Sequence, residues 1–323
     1  MRYLNEENIN EVGIDWGETI SVIEGAVSCL GKKDFSQPVK PYLRYKEMKN
    51  RIIAMPAFVG GDFDMAGIKW IASFPDNIQK NIPRAHSVVI LNKADTGKPV
   101  AIINTALLSI IRTVSVSGAL MKSYDRARNL NKFKLGIIGW GPIGQHHLKM
   151  CMQMFGDGIT DVYLYDLRPV IDKKNIGYEG RVQIHVVNSW EEVYDSSDVF
   201  ITCTVSKVPY IDKNPKKGML LLNVSLRDYT TDIFDAVKDQ IIVDDWEEVC
   251  RENTDIENMH KEKGLMEEHT RSIIDAVCED CIKEYEPDST VMFNPMGMAV
   301  FDIAMGAHYY YKAVKMDIGK ELE

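Results

Sequence analysis

Short apolar runs alternate with helical patterns through the middle of the chain, and this alternation is its clearest structural signal. The apolar runs are Leu135–Ile138, Val162–Tyr165, Gln183–Val187, Val199–Thr202, Leu220–Val224 and Ile241–Val243. Helical patterns lie between several of them, at Ile143–Phe155, Trp190–Tyr194 and Ile233–Val237. Nearly continuous apolar strands between helices are typical of a parallel sheet that is covered on both faces. The pattern therefore predicts a doubly wound α/β domain, whose ligands bind beyond the carboxyl ends of its strands.

The first 110 residues have a different pattern, in which strand-like segments are separated by turn residues. These segments are Arg51–Met55, Met65–Ile71, His86–Leu91 and Pro99–Asn104. They predict a mixed or antiparallel sheet in a separate α+β domain. A helix from about Thr105 to Ala127 is expected to lead out of this domain, and an apolar-faced helix after Gly297 is expected to return to it. We therefore predict one domain from residues 1–116 with 296–323, and a second from residues 117–295.

A glycine-rich turn follows the first apolar strand of the α/β region and opens its first helix. Residues 139–144 read Gly-Trp-Gly-Pro-Ile-Gly, which is the G-x-G-x-x-G turn of Rossmann-like domains. Gly139 permits the tight turn, Gly141 lets the backbone approach a pyrophosphate, and Gly144 lets helix and strand pack closely. The helix N-terminus offers unpaired N–H groups to an anion. The whole turn, including Pro142 and Ile143, is the predicted pyrophosphate site.

The residues that follow the next strands complete the predicted dinucleotide site. Asp166 ends the second strand, 27 positions after Gly139, where a carboxylate accepts hydrogen bonds from a ribose and repels a 2′-phosphate. This favours NAD over NADP, although Arg168 is of the residue type that accommodates a 2′-phosphate. Loops that begin with Thr204-Val205 and with Ser225 follow two further strands, and we expect both to face the cofactor.

Composition narrows the class of protein. The chain has 323 residues and a net charge of −9 at pH 7, which argues against nucleic acid or an anionic membrane as its main partner. No apolar run approaches the ~18 residues of a membrane span, and the first residues do not resemble a signal peptide, so we expect a cytoplasmic protein. The six cysteines are scattered, and the single Cys278-x-x-Cys281 lacks a second ligand pair. No metal site is predicted.

Four basic residues stand within apolar or small-residue segments: Arg44, Lys69, Arg84 and Arg112. Burial of a cation without a partner is costly, so each is expected to meet a carboxylate. A substrate carboxylate is one candidate, since an arginine binds carboxylates in a bidentate manner. An internal salt bridge or an exposed charge at the end of a buried stem is the alternative.

The chain resembles the ornithine cyclodeaminase/mu-crystallin family along essentially its whole length. The matching segments are Gln37–Arg44, Arg51–Ala57, Gly67–Ile71, Ile90–Asn92, Ile111–Thr113, Ile201–Val205, Val243–Trp246 and Asn294–Ala299. The Lys-Pro-Tyr-Leu-Arg of residues 40–44 and the Val-Asp-Asp-Trp of residues 243–246 resemble most closely the branch that makes 2,3-diaminopropionate for siderophores or antibiotics.

This resemblance implies an N-terminal substrate-binding and dimerisation domain completed by the C-terminal helix, and hence a homodimer. It implies that Arg44, Lys69 and Arg112 hold substrate carboxylates and that Lys69 also relays protons. Asp228 is expected near the reacting carbon as the base, and Thr113 beside the cofactor. The implied reaction is NAD-dependent oxidative cleavage of N-(2-amino-2-carboxyethyl)-L-glutamate to 2-oxoglutarate and L-2,3-diaminopropionate.

Several alternatives remain open from the sequence. Other enzymes of the family, namely ornithine cyclodeaminases, alanine dehydrogenases and ketimine reductases, share the same scaffold. A mu-crystallin-like protein that binds nucleotide and a small ligand without catalysis is a second class, and a regulatory subunit is a third. Asp228 itself has a structural alternative, because it precedes a predicted helix and has a residue type that caps helices.

Overall fold

The computed structural model describes residues 1–168, 176–178 and 180–323. Its strands are β1 Arg2–Leu4, β2 Phe35–Ser36, β3 Tyr42–Leu43, β4 Arg51–Val59, β5 Met65–Ser73, β6 Ala85–Lys93, β7 Pro99–Asn104, β8 Phe133–Ile138, β9 Ile159–Tyr165, β10 Gln183–Val186, β11 Val199–Thr202, β12 Leu220–Asn223, β13 Ile241–Val243, β14 Arg271–Ser272, β15 Val291–Asn294 and β16 Lys320–Glu321. Its helices are α1 Glu6–Val12, α2 Trp16–Gly31, α3 Leu107–Arg128, α4 Pro142–Phe155, α5 Trp190–Ser196, α6 Phe234–Val237, α7 Trp246–Val249, α8 Asp255–Lys263, α9 Ile273–Val277 and α10 Ala299–Met316.

The chain divides into two compact units. Unit 1 comprises Met1–Ser115 and Gly297–Glu323, and unit 2 comprises Val116–Met296. Helix α3 contains the first boundary, and the second lies just before α10. None of the helices in the described part of the chain is both long and apolar enough to cross a membrane.

Unit 1 is built on a mixed sheet in the order β16-β1-β7-β6-β5-β4-β2, with β3 also paired to β4. The β1–β7 pair is parallel, whereas the neighbours from β7 to β4 pair antiparallel. Helix α10 packs across β4, β5 and β6, and α2 packs against α10. Two glycines permit this close approach: an added Cβ at Gly67 would lie 3.0 Å from Ile303 Cδ1, and one at Gly306 would lie 3.2 Å from Leu91 Cδ2. The first turns of α10 therefore lie directly over β5.

Unit 2 is a parallel sheet in the order β10-β9-β8-β11-β12-β15-β13-β14. The chain winds outward from β8 in one direction to β10 and then returns to add β11 and β12 on the other side. The strand order therefore reverses between β8 and β11, which is where doubly wound sheets bind their ligands. Strand β15, the last of the unit along the chain, inserts between β12 and β13.

The predicted fold class is confirmed, because unit 2 has the doubly wound parallel sheet and unit 1 the α+β arrangement. The apolar pattern failed to predict α1, α2, β14 and β15. Helix α1 begins at a polar capping box between Asn5 and Asn8, and α2 at Asp15, whose side chain accepts from the N–H of Glu18. Strand β14 has only two residues, and β15 immediately precedes Pro295, so each shows little periodicity.

Candidate functional site

The glycine-rich turn of unit 2 has the geometry that a dinucleotide pyrophosphate requires. Gly139 has φ +89°, and a Cβ there would overlap the carbonyl of Cys203. A Cβ on Gly144 would overlap the carbonyl of Gly139, so this glycine sets the approach of α4 to β8. Gly141 has open space where a Cβ would point. Two of the three glycines are thus explained by packing within the protein, and the third leaves room for a ligand.

The N-terminus of α4 faces that open space without a side-chain cap. Gly141 is the N-cap residue, and its extended backbone leads directly into Pro142 at the first helical position. The first N–H groups of such a helix have no intrahelical partner and carry partial positive charge, so they stabilise an anion. A pyrophosphate therefore fits this turn on geometry and charge alike.

Asp166 lies beside the turn at the end of β9, as the sequence pattern predicts. Its Oδ2 accepts from the Trp140 N–H at 2.7 Å, and its Oδ1 accepts from the Arg168 N–H at 2.9 Å. The Arg168 side chain is 58% exposed, and its Nε lies 3.4 Å from Oδ1. Oδ1 also accepts from Arg168 Nε, whereas Oδ2 retains a second lone pair with which the aspartate can accept from a ribose hydroxyl. The ion pair with Asp166 partly neutralises the positive charge of the Arg168 guanidinium.

Asp228 is fully buried in unit 2, at the carboxyl end of the sheet. Its Oδ1 accepts from the Thr204 hydroxyl and its Oδ2 from the Ser225 hydroxyl, so residues after β11 and β12 both hold it. Burial raises its pKa, and these hydroxyl donors counteract part of that rise. The helix-cap alternative is wrong, because Thr230 accepts from the N–H of Asp232 at the helix start. A buried carboxylate held by hydroxyls is suited to accept a proton.

Lys69 and Arg112 meet in unit 1 on a single carboxylate, which belongs to Asp302. Its Oδ1 accepts from Lys69 Nζ at 2.9 Å and from Arg112 Nε at 2.9 Å. Lys69 and Asp302 are each 1% exposed, and Arg112 is 7% exposed. Lys69 also donates to the Ser109 hydroxyl at 3.1 Å. Strand β5, helix α3 and helix α10 each deliver one charged member of this buried cluster.

Burial and the neighbouring positive charges lower the pKa of Lys69. Burial is the largest cause and lowers the pKa of Lys69 to about 7, against an ordinary value of 10.5. Asp302 counteracts this, whereas the positive charges of Arg112 and Lys40 lower the pKa further. Lys40 is itself buried and donates to the Gly297 carbonyl at 2.7 Å. Lys69 is therefore poised to exchange a proton near neutral pH.

Arg112 presents its planar end away from Asp302. Among the described residues, Asp302 engages only Nε, and no hydrogen bond takes up Nη1 or Nη2. Gly297 packs against this end, because a Cβ there would lie 2.5 Å from Nη1, and it has φ +88°. The fork of the guanidinium is thus free to bind a carboxylate in a bidentate manner.

The remaining predicted residues lie in different settings. Arg44 follows β3, and its Cζ lies 5.1 Å from the centroid of the Tyr42 ring. The Thr113 hydroxyl donates to the Ser109 carbonyl within α3. Val205 is 61% exposed, unlike its neighbour Thr204. Arg84 is half-buried before β6. Carboxylate binding by Arg44 and cofactor binding by Thr113 stay predictions.

Two members of the buried cluster were missed by the sequence reasoning. Asp302 is the only acid within the apolar first turns of α10, and that setting was the available signal. Lys40 was noted as part of a signature and not as a buried cation. Within the described ranges, no group of three or more His, Cys, Asp or Glu residues could hold a metal ion. The cysteine pair does not share a helix, because α9 ends before Cys278 and Asp280 has φ +54°.

Comparison with known proteins finds relatives along almost the whole chain. The model of the ornithine cyclodeaminase/mu-crystallin family matches residues 6–317. An N-((2S)-2-amino-2-carboxyethyl)-L-glutamate dehydrogenase from Staphylococcus aureus is 33% identical, over 100% of this chain and 98% of that protein. An alanine dehydrogenase from Archaeoglobus fulgidus is 27% identical, over 99% and 97%.

Solved structures show the same fold. The Δ1-pyrroline-2-carboxylate reductase of Thermococcus litoralis, solved with NADH and L-proline, superposes with a TM-score of 0.89 at 22% identity and covers 100% of both chains. An archaeal alanine dehydrogenase dimer with bound NAD gives a TM-score of 0.82 at 23% identity, over 100% of this chain and 99% of that one.

Proposed function

The chain belongs to the ornithine cyclodeaminase/mu-crystallin family, and from that premise we propose that it is an NAD-dependent N-(2-amino-2-carboxyethyl)-L-glutamate dehydrogenase. The reaction converts the substrate, NAD⁺ and water into 2-oxoglutarate, L-2,3-diaminopropionate, NADH and a proton. The relative from Staphylococcus aureus, similar along the whole chain, supports this choice of substrate. The alanine dehydrogenase from Archaeoglobus fulgidus and the reductase from Thermococcus litoralis are likewise a dehydrogenase and a reductase by name.

The observation that carries the proposal is the charge balance of the buried cluster in unit 1. Lys69 and Arg112 share the one carboxylate of Asp302, and the fork of Arg112 is open. A second anion would complete the pairing and raise the pKa of Lys69. The proposed substrate has three carboxylates, so it can supply that anion and still present others to further cations such as Arg44.

The residues of the glycine-rich turn fit NAD. The N–H groups at the start of α4 would hold the pyrophosphate, and Asp166 would accept from the adenine ribose. The loops at Thr204 and Ser225 lie at the same edge of the sheet, at the ends of β11 and β12. When bound, NAD⁺ would supply the acceptor for the hydride from the α-carbon of the glutamate part of the substrate, and loss of this hydride and of the amine proton would give an imine.

The protein's own groups orient the substrate and move protons. Arg112 fixes one carboxylate through two parallel hydrogen bonds, which sets the direction of the reacting C–H bond. Lys69 binds a carboxylate in its protonated form. Asp228 accepts a proton from the secondary amine or from the attacking water, and its raised pKa makes it a better base than a solvated aspartate. Water then adds to the imine, and the carbinolamine collapses to the two products.

The proposal is tested by following absorbance at 340 nm with NAD⁺ and the synthetic substrate, with products identified by mass spectrometry. L-Ornithine, L-alanine and L-proline are run in parallel. We expect NADH together with 2-oxoglutarate and diaminopropionate. Arg112→Met should abolish turnover but retain NAD⁺ binding, whereas the matched surface variant Arg271→Met should retain both turnover and NAD⁺ binding. Proline from ornithine without net NADH, or turnover of alanine alone, would reassign the substrate.

The proposal includes a homodimer that forms through an uncovered face of the unit 1 sheet. Residues of β4, β5 and β6 alternate between the face beneath α10 and the opposite face. On that opposite face Ala54, Trp70 and Val88 stand in register, and Trp70 is 43% exposed. A contiguous apolar surface of this kind commonly marks an interface.

Light scattering after gel filtration tests the dimer. We expect twice the chain mass of 36.7 kDa for the native protein and a monomer for Trp70→Lys, with Lys149→Ala, at an exposed position of α4, as the control. A native protein that remains monomeric at micromolar concentration would refute this part of the proposal without affecting the proposed reaction.

A further inference from the structure

The loop that carries Asp228 contains a strained residue. Leu226 lies between β12 and Asp228 with φ +63°, a conformation that is uncommon for a residue with a branched side chain. Such strain persists where the surrounding structure fixes the backbone, and it is concentrated at functional sites. The Leu226 N–H donates to Asn223 Oδ1 at 3.0 Å, and the Leu226 carbonyl accepts from the Asp255 N–H at 2.8 Å.

Asp255, the first residue of α8, holds this loop with its side chain as well. Its Oδ2 accepts from Asn223 Nδ2 at 2.9 Å and from the N–H groups of Asp228 and Tyr229, both at 3.2 Å. The side chain therefore fixes the peptide groups on both sides of the Asp228 α-carbon. The hydroxyls of Thr204 and Ser225 then bind the carboxyl that this backbone presents.

The burial of the Asp255 side chain carries a cost to stability. The residue is 1% exposed, and its Oδ1 is buried without a hydrogen-bond partner among the described residues. Burial is the largest cause that raises its pKa, to about 7, and the charge of Asp228 raises it further. The other titratable groups around the pair are the phenols of Tyr210 and Tyr229 and the thiol of Cys203. An unsatisfied buried acid is a cost that calls for a function.

We propose that Asp255 is the positioning residue for Asp228: it grips the strained loop from behind and aims the Asp228 carboxyl at the reacting group. This inference rests on the proposed function, in which Asp228 is the base. Asp255 does not itself contact substrate or cofactor. The grip depends on the acceptor oxygen of Asp255 and not on its charge.

Two substitutions separate the acceptor oxygen of Asp255 from its charge. Asp255→Ala removes the acceptor of three N–H groups, and we expect kcat to fall by about tenfold or more while KM and NAD⁺ affinity stay within about threefold. Asp255→Asn keeps an acceptor oxygen but loses the charge, so it should retain most of kcat and leave the acid limb of the pH–kcat profile in place. Glu262→Gln, an exposed acid of the same helix, is the control and should change neither.

The outcomes discriminate between the inference and the proposed function. A folded Asp255→Ala protein with native kcat would overturn the inference. If Asp255→Ala fails to fold, Asp255→Leu, which has no acceptor and a similar volume, carries the test. If the native protein turns over none of the amino acids, the proposed function fails, and amide hydrogen exchange still decides the grip. The N–H groups of Asp228 and Tyr229 should exchange faster in the variant without an acceptor than in the native protein, and equal exchange rates would refute the grip.

Discussion

Asp302→Asn keeps the size of the side chain that pairs with Lys69 and Arg112 and removes its charge. Because all three groups are buried, solvent cannot replace the lost interaction. The pKa of Lys69, about 7 rather than 10.5, shows that its charged form is already disfavoured by about 5 kcal/mol relative to water. Removal of Asp302 lowers that pKa further. Lys69 can respond by losing its proton, but Arg112 cannot.

We therefore expect Asp302→Asn to lower the free energy of unfolding by about 3 kcal/mol at pH 7, the lower end of the range for breaking a buried ion pair. The sign of the pH dependence follows from linkage. A lysine whose pKa is lower in the folded state makes the unfolded state bind more protons, so stability rises with pH. The loss should accordingly be larger at pH 6 than at pH 8, where Lys69 is neutral in both proteins.

Urea unfolding followed by circular dichroism measures the decrease in the free energy of unfolding caused by Asp302→Asn. Hydrogen exchange of peptides from β5 and α10 assigns this decrease to unit 1. The control is Asp288→Asn, which breaks the exposed pair with Lys217 and should leave the unfolding midpoint unchanged. Lys69→Met and the double variant complete a cycle, in which contacting charges should couple by about 1–3 kcal/mol. An additive cycle, or equal losses for the buried and exposed acids, would refute the reasoning.

Three further predictions concern the cofactor and the substrate. Gly141→Val should leave the melting temperature unchanged and weaken NAD⁺ binding by about tenfold or more, because the added Cβ enters open space next to the ligand. Gly144→Val should instead lower the melting temperature, and similar melting curves for the two variants would contradict this. Lys69→Arg should extend the plateau of kcat/KM above pH 7, since arginine stays protonated; an unchanged alkaline limb would exclude Lys69 as the titrating group. Asp166→Ser should narrow the preference for NAD⁺ over NADP⁺, because it removes the repulsion of a 2′-phosphate and releases Arg168, and the ratio of the two kcat/KM values measures this.

Local signals accounted for the parts of the molecule that the sequence predicted well. The turn at residues 139–144 depends on a positive φ at Gly139, a close backbone approach at Gly144 and open space at Gly141, so three glycines specify its geometry. Asp166 was found from its place after a strand, which is also local. The fold class followed because parallel strands require helices between them, and that requirement is written in the order of apolar segments.

The rest depended on pairings between distant segments. Asp302 meets Lys69 and Arg112 across separations of 233 and 190 residues, and no spacing rule connects them. The sequence indicated only that two buried cations need an acid, and many acids were available. The grip of Asp255 on the loop of Asp228 is of the same kind, because α6, β13 and α7 lie between that loop and α8 along the chain.

Unit 1 is assembled from two separate segments of the chain, and this affects how it folds during synthesis on the ribosome. Strand β5 and the first half of α3 emerge early, but α10, which covers the sheet, is made only after all of unit 2. Until residue 302 leaves the exit tunnel, Lys69 and Arg112 have no Asp302, and the sheet face beneath α10 remains wet. Unit 2 is contiguous and can fold first. Unit 1 of the nascent chain thus stays incomplete, with unpaired buried cations, until α10 has been synthesised. In this interval the chain depends most on a chaperone.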